Sequence, residues 1–255
     1  MPKLPTNSFK AALKAGQQQI GLWNTIGGNT VPELLAGAGF DWICIDTEHS
    51  PVEVTGVLSA LQQCAAYDVR PVVRPAFNDQ VLIKRVMDYG AQTLLIPYVQ
   101  SPEEAAAAVR ATRYPPEGLR GVSGMTRASG YGTYENYTAM ANAEICVLVQ
   151  VETGEALAQL EAIAQVEGVD GVFIGPADLA ASLGHPGNPG HPEVKAAIED
   201  AIKRLAAFGV PSGILTLDKA FVRDCMDWGT RFTAVGIDMS VLATGVRALA
   251  KEFKG

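Results

Sequence analysis

Residues 42–49 read Trp-Ile-Cys-Ile-Asp-Thr-Glu-His. The first four are apolar, as in a parallel strand buried on both faces. The last four bring in Asp46, Glu48 and His49, which are costly to keep dry. A strand that is apolar along its length and polar at its end suits a barrel whose chemistry sits at one rim.

Seven more runs share this character. They span residues 19–24 (QIGLWN), 71–77 (PVVRPAF), 93–99 (TLLIPYV), 145–152 (ICVLVQVE), 171–176 (GVFIGP), 211–216 (PSGILT) and 232–239 (FTAVGIDM). With residues 42–48 they make eight strands. Helical patterns lie between them, including 51–68, 79–90, 101–114 and 191–209, and a last helix covers 240–255. Ser101, Pro102 and Glu104 form a helix start, with a cap, a first-turn proline and an acid three residues after the cap. Eight strand–helix units in 255 residues predict an α/β fold, a (β/α)8 TIM barrel filling residues 1–255 as one domain. An open doubly wound sheet fits less well, because residues 24–30 (NTIGGNT) lack the GxGxxG spacing. Two Gly-rich segments, 115–143 and 184–192, are long for a compact domain. They are read as βα loops on the active rim, after strands four and six.

Composition narrows the function. Hydrophobic residues make up 48% and charged residues 18%, so a large core is expected rather than disorder. A net charge of −7 argues against nucleic acid as a partner. The N-terminal stretch has no long apolar segment, so no secretory signal, no membrane span and a cytoplasmic location are expected. Cys44, Cys64, Cys146 and Cys225 are scattered without a CxxC pair, which reads as reduced core thiols rather than a zinc site.

The strand ends carry the candidate chemistry. Glu152 and Asp178 each follow an apolar run. Two hard carboxylates on neighbouring strands suit Mg2+ or Mn2+. The alternative is that an arginine pairs with one and the other caps a helix. Arg74 interrupts an apolar strand and needs an anionic partner. That partner is either Asp46 or Glu48, or a substrate carboxylate or carbonyl, which suits its planar fork. His49 reads either as a structural histidine or as an acid–base group. Asp238 is placed at the end of strand eight. His185 and His191 fall in the Pro/Gly loop and are read as surface residues.

Several stretches, in this order, carry a family pattern. They are residues 34–49 (LLAGAGFDWICIDTEH), 71–75 (PVVRP), 92–100 (QTLLIPYVQ), 111–122 (ATRYPPEGLRGV), 146–153 (CVLVQVET) and 166–184 (VEGVDGVFIGPADLAASLG). Together they closely resemble the HpcH/HpaI aldolases, metal-dependent class II pyruvate aldolases. The resemblance implies a phosphoenolpyruvate/pyruvate-type barrel whose C-terminal helix is exchanged with a neighbouring subunit, in a homohexamer built as a trimer of dimers. It implies Mg2+, Mn2+ or Co2+ held by Glu152 and Asp178. Arg74 would stabilise the enolate, and His49 would act with Asp88 as a catalytic dyad. Gln150 and the N–H groups of Ala177 and Asp178 would bind pyruvate or another 2-oxo acid, with Trp23 and Leu215 around the aldehyde. Asp46 and Glu48 would support the site from behind. The implied reaction makes or cleaves 4-hydroxy-2-keto acids, for instance 4-hydroxy-2-oxoheptanedioate to pyruvate and succinate semialdehyde. Rival readings are a 2-dehydro-3-deoxyglucarate aldolase, a CoA-thioester lyase and a keto-acid binding protein. Arg127, in the long loop, is expected to reach a distal substrate carboxylate.

Overall fold

The computed structural model describes residues 4–255; the first three residues of the expected 1–255 barrel lie outside the described residues. The chain runs α1 (Ser8–Lys14), β1 (Gln19–Asn24), α2 (Val31–Ala36), β2 (Trp42–Asp46), α3 (Val54–Cys64), β3 (Arg70–Arg74), α4 (Gln80–Asp88), β4 (Thr93–Ile96) and α5 (Pro102–Thr112). It continues through α6 (Tyr137–Glu144), β5 (Cys146–Val151), α7 (Gly154–Ala158), α8 (Leu160–Ala164), β6 (Gly171–Ile174), α9 (Pro176–Ser182) and α10 (Pro192–Ala207). It ends with β7 (Ser212–Leu215), α11 (Lys219–Trp228), β8 (Phe232–Ile237) and α12 (Asp238–Lys254). The strands close as a barrel in sequence order, and every pairing is parallel. The TIM barrel expected from the eight runs is the fold.

Alternation along each strand divides the core in two. Trp42 and Cys44 join Trp23, Val72, Leu95, Leu148, Phe173 and Phe232 inside the barrel. Ile45, Val73, Val147 and Val149 face the surrounding helices. The interior is aromatic where the strands begin. Phe9 and Leu13 of α1 belong to it, and the Phe9 ring lies 6.0 Å from Trp42 and 6.1 Å from Phe232. Space for these rings comes from glycines in neighbouring strands. A Cβ on Gly21 would meet the Trp42 ring at 2.2 Å, and one on Gly213 would meet the Phe232 ring at 2.2 Å.

The same alternation carries polar side chains to the other end. Asp46 is two residues beyond Cys44, Arg74 two beyond Val72, and Gln150 two beyond Leu148. Asp46, Arg74, Gln150 and Glu152 are all buried. Except for β1, which ends at Asn24 as read, the strands stop one to three residues before the ends of the apolar runs at this rim. Past Ile96 the chain leaves the sheet, although Pro97 and Val99 stay buried, and Tyr98 takes φ +52°.

Segment 115–143 is not on this rim. Helix α5 intervenes after β4 and returns the chain to the end where strands begin, so the segment joins α5 to β5. Arg127 confirms the place: it donates to the carbonyls of Tyr89 (2.7 Å) and Leu61 (3.4 Å), near the ends of α4 and α3. The expectation that Arg127 reaches a substrate at the mouth is therefore corrected. Segment 184–192 lies as expected, with Pro189 and Gly190 lining the mouth cavity.

Asp238 is the first residue of α12 rather than a strand end. Its carboxylate accepts hydrogen bonds from Asn24 Nδ2 (2.8 Å), the Thr25 N–H (2.9 Å) and hydroxyl (2.7 Å), and the Ile26 N–H (3.0 Å). It thus ties the loop after β1 to the root of α12. Beyond Asp238, α12 has no buried residue. Met239, Leu242, Val246, Leu249 and Phe253, spaced by threes and fours, stay about half exposed or more. That spacing draws one apolar stripe along a helix. Among the described residues no helix is long and apolar enough to cross a membrane.

Candidate active site

The mouth holds a cavity of about 730 Å³. Its wall includes Trp23, Asp46, His49, Arg74, Gln150 and Glu152. Ala177, Asp178 and Leu215 complete the expected residues that it brings together. Thr216, Lys195, Asp218 and Arg247 also line it, and sequence reasoning did not single them out for this site. Thr216 ends the run read as strand seven, whereas Lys195, Asp218 and Arg247 sit on helices or at a helix start whose local pattern reads as ordinary solvated surface.

Arg74 ends β3 and is 6% exposed. Asp46, its neighbour across the β2–β3 ladder, grips it with both oxygens: Nε to Oδ1 at 2.8 Å and Nη2 to Oδ2 at 2.7 Å. Its Nη1 lies 2.8 Å from Glu48 Oε2 and 3.5 Å from Gln150 Oε1. Below it, the Trp23 ring centre is 5.3 Å from the guanidinium carbon. Burial by itself would lower the pKa of Arg74, but the hydrogen bonds and charge of Asp46 outweigh it and raise the value above the ordinary one. Of the two partners left open by the sequence, Asp46 and Glu48, both are used. The five N–H donors of a guanidinium still exceed these contacts, so a substrate oxygen can be served as well.

Glu152 follows β5 and is 2% exposed. Its Oε1 accepts the Tyr98 N–H at 3.1 Å, and its Oε2 accepts Gln150 Nε2 at 2.5 Å. Tyr98 makes the first bond from a left-handed backbone, which costs a non-glycine residue about 1–2 kcal/mol. Gly175 makes the room, since a Cβ there would lie 2.3 Å from Glu152 Oε2. Burial pushes the Glu152 carboxyl up to about 7; the Gln150 hydrogen bond opposes this, and the nearby charge of Asp178 adds to it. Glu48 is also raised, first by burial, with Arg74 pulling the other way.

Asp178 is the third residue of α9 and points no oxygen at its cap; no side chain caps this helix start. Among the described residues neither Glu152 nor Asp178 forms an ion pair. The reading in which an arginine neutralises one and the other caps a helix is therefore not the arrangement found. Two carboxylates in mutual repulsion, one of them dry, offer hard oxygen donors that fit a divalent cation. Ala177 and Asp178 line the same cavity, and a helix start without a side-chain cap suits an anionic group.

His49 lies just past β2 with its side chain 67% exposed, and its Nε2 is 3.9 Å from Glu48 Oε1. Asp88 does not join it within one chain. Helix α4 starts after β3 at the mouth and runs away from it, so Asp88, its last residue, is at the far end of the barrel. There its carboxylate pairs with the buried Arg120 at 2.9 Å. Strand–helix order already implies this, because a helix that follows a strand leaves the mouth; what spacing does not reveal is the pairing with Arg120.

Residues 19–244 match the family model described as HpcH/HpaI aldolase/citrate lyase. The chain belongs to this family. It is 62% identical to a pyruvate aldolase of Rhizobium etli, over 98% of this chain and 99% of that protein. It is 55% identical to a 4-hydroxy-2-oxo-heptane-1,7-dioate aldolase of Klebsiella pneumoniae, over 97% of this chain and 94% of the relative. The solved structure of an HpcH/HpaI aldolase/citrate lyase family protein from Burkholderia cenocepacia superposes with a TM-score of 0.94 at 42% identity, covering 98% of this chain and all of the other. As a member of this aldolase family, the chain is a carbon–carbon lyase.

The Glu152 environment has a measurable consequence in the metal-free protein. Its folded pKa of about 7 lies above the unfolded carboxylate value, so the fold favours the protonated acid. The associated stability is present below the unfolded value, near pH 4.5, and is lost as pH rises towards 7. The loss is on the order of 3 kcal/mol. Urea unfolding in chelator at pH 5 and pH 8 should show this fall in the wild type and a much flatter response in Glu152→Gln. Equal slopes in the two proteins would refute the assignment.

Proposed function

We propose that the chain is a class II pyruvate aldolase that makes or cleaves 4-hydroxy-2-keto acids. The observation that carries this reading is the pair Glu152 and Asp178, two carboxylates without a cationic side-chain partner among the described residues, beside an arginine that Asp46 locks in place. The pair would hold Mg2+, Mn2+ or Co2+, which supplies Lewis-acid polarisation of the 2-oxo acid. The chain's own groups do the rest. The N–H groups of Ala177 and Asp178 receive the carboxylate of pyruvate or a related 2-oxo acid. Arg74 directs an N–H to the keto oxygen, where negative charge grows as a methyl proton leaves. Gln150 bridges Arg74 and Glu152 and keeps both side chains aimed. His49, exposed at the rim, moves the proton. Trp23 and Leu215 wall the side on which the aldehyde enters.

The relatives' names support pyruvate as the nucleophilic half, and one of them supports succinate semialdehyde as the aldehyde product of cleavage. Exchange of the pyruvate methyl protons in D2O tests the first half-reaction without knowing the aldehyde. It should require added divalent metal, vanish with chelator and fall by roughly 100-fold or more in Arg74→Ala, as when a preorganised donor to a developing oxyanion is removed. Lysine should restore little, because it lacks the planar fork. Exchange that survives full chelation, or a borohydride-trapped lysine adduct with pyruvate, would sink the proposal.

The assembly belongs to the same reading. The apolar stripe of α12 has no cover among the described residues of its own chain, which supports exchange of this helix between subunits; a homohexamer built as a trimer of dimers is the assembly that the family resemblance implies. Leu249→Glu should leave the barrel folded, since Leu249 is 57% exposed within one chain, while light scattering shows a smaller species. An unchanged mass would count against the exchange.

Asp88 can serve His49 only from a neighbouring copy, because the two lie at opposite ends of one barrel. Mixing inactive His49→Ala and Asp88→Asn chains should then recover part of the activity in mixed assemblies. No recovery would leave Asp88 as the structural partner of Arg120.

A further inference from the structure

The loop between α9 and α10 carries a cluster that the aldolase chemistry does not use. His185, His191 and Glu193 each offer a ligand atom, and these atoms lie within 4.8 Å of one another. His185 Nε2 is 2.8 Å from Glu193 Oε2. The two imidazoles are stacked, with ring centres 3.5 Å apart and planes 17° from parallel. His191 Nδ1 accepts the Glu193 N–H at a long 3.3 Å and so caps α10. We propose that His185, His191 and Glu193 form a second metal site, selective for a transition-metal ion of the Zn2+ type.

The backbone holds these donors before any ion arrives. The His185 N–H donates to Ala180 O at 2.7 Å, the Asn188 N–H to His185 O at 3.0 Å and the His191 N–H to Asn188 O at 3.1 Å. Pro186, Pro189 and Pro192 restrict φ along the loop. Gly184 and Gly187 take the positive φ values, +86° and +75°, that its turns need. Little ordering entropy is left to lose on binding. A metal lies in the plane of the imidazole that holds it, so the stacked rings cannot share an ion as they stand. One ring must turn about its Cβ–Cγ bond, a torsion that is broad for histidine. Both rings border solvent, so the turn disturbs no core packing.

Donor chemistry separates this site from the one at the strand ends. Two imidazoles with one carboxylate favour Zn2+, Ni2+ or Cu2+, whereas an all-oxygen pair suits Mg2+ and Mn2+; Co2+ suits either, and its spectrum reports which donors hold it. Three protein ligands leave a tetrahedral ion one position for water. The site also touches the mouth. Pro189 and Gly190, within the loop, and Lys195, one turn into α10, line the substrate cavity. A bound ion would brace that wall.

Calorimetric titration with Zn2+ tests the proposal independently of the aldolase reading. It uses the full-length protein saturated with Mg2+, and separately the Glu152→Gln/Asp178→Asn variant, which lacks the strand-end carboxylates. About one equivalent of Zn2+ should bind in both. Affinity should fall by roughly tenfold or more in His185→Gln/His191→Asn, where asparagine keeps a helix cap. Co2+ should give the intense visible absorption of a tetrahedral ion with the first two proteins and not with the histidine variant. Circular dichroism and Mg2+-supported activity of the histidine variant should match the wild type, which separates loss of the site from loss of the fold. Zn2+ uptake that disappears with the carboxylates, or that persists unchanged without the histidines, overturns the proposal.

Discussion

A positive charge is buried at the rim of this barrel, and the surrounding structure answers to it. Arg74 ends a strand in a place with little water, where an unpaired guanidinium would be expensive. Asp46 faces it across the adjacent strand and takes two of its donors, and Glu48 adds a second negative charge. These two acids are committed to Arg74. The carboxylates free for other chemistry are therefore Glu152 and Asp178, one strand group away across Gln150. The division of four acids into two roles follows from which of them can reach the guanidinium.

The barrel supports that layer by being dry and tightly filled beneath it. Trp23, Trp42, Phe173 and Phe232 occupy the interior, and Gly21 and Gly213 leave room for their rings. Trp23 belongs to both parts, as core packing and as the surface under Arg74. At Gly175 the same device serves the site, where the missing side chain leaves space for Glu152. Rigid support matters for an enzyme that stabilises charge in the transition state, because groups already aimed need not reorganise when the charge appears.

The two ends of the barrel do different work. The mouth gathers Arg74, Glu152, Asp178 and His49. The far end is closed by α1, and at that end Arg120 and Arg127 of the long segment after α5 hold neighbouring elements together. Helix α12 belongs wholly to neither, since it is rooted at Asp238 and turns an apolar stripe away from its own chain.

Eight apolar runs with helical segments between them determined the barrel, because a strand buried on both faces must be apolar and parallel strands need crossovers. The period of two within each run also determined which polar residues enter the mouth: Asp46, Arg74, Gln150 and Glu152 stand in phase with core positions. Runs alone misjudged where strands stop, since Pro97 and Val99 stay buried after the chain has left the sheet. Pairing between distant side chains was beyond the sequence, and direction, which strand–helix order does imply, was misjudged. The long segment fell on the wrong rim, taking Arg127 with it, because one overlooked reversal at α5 changes the end of the barrel. Asp88, paired with His49 on family likeness, lies within its own chain at the far end beside Arg120, so that pairing needs a neighbouring copy. The sequence by itself determined the fold and the set of chemical groups, since both follow from local periodicity. Only the tertiary structure decided which acid neutralises Arg74, which acids remain free, and which helix lacks a cover, since each depends on distances between residues far apart in the chain.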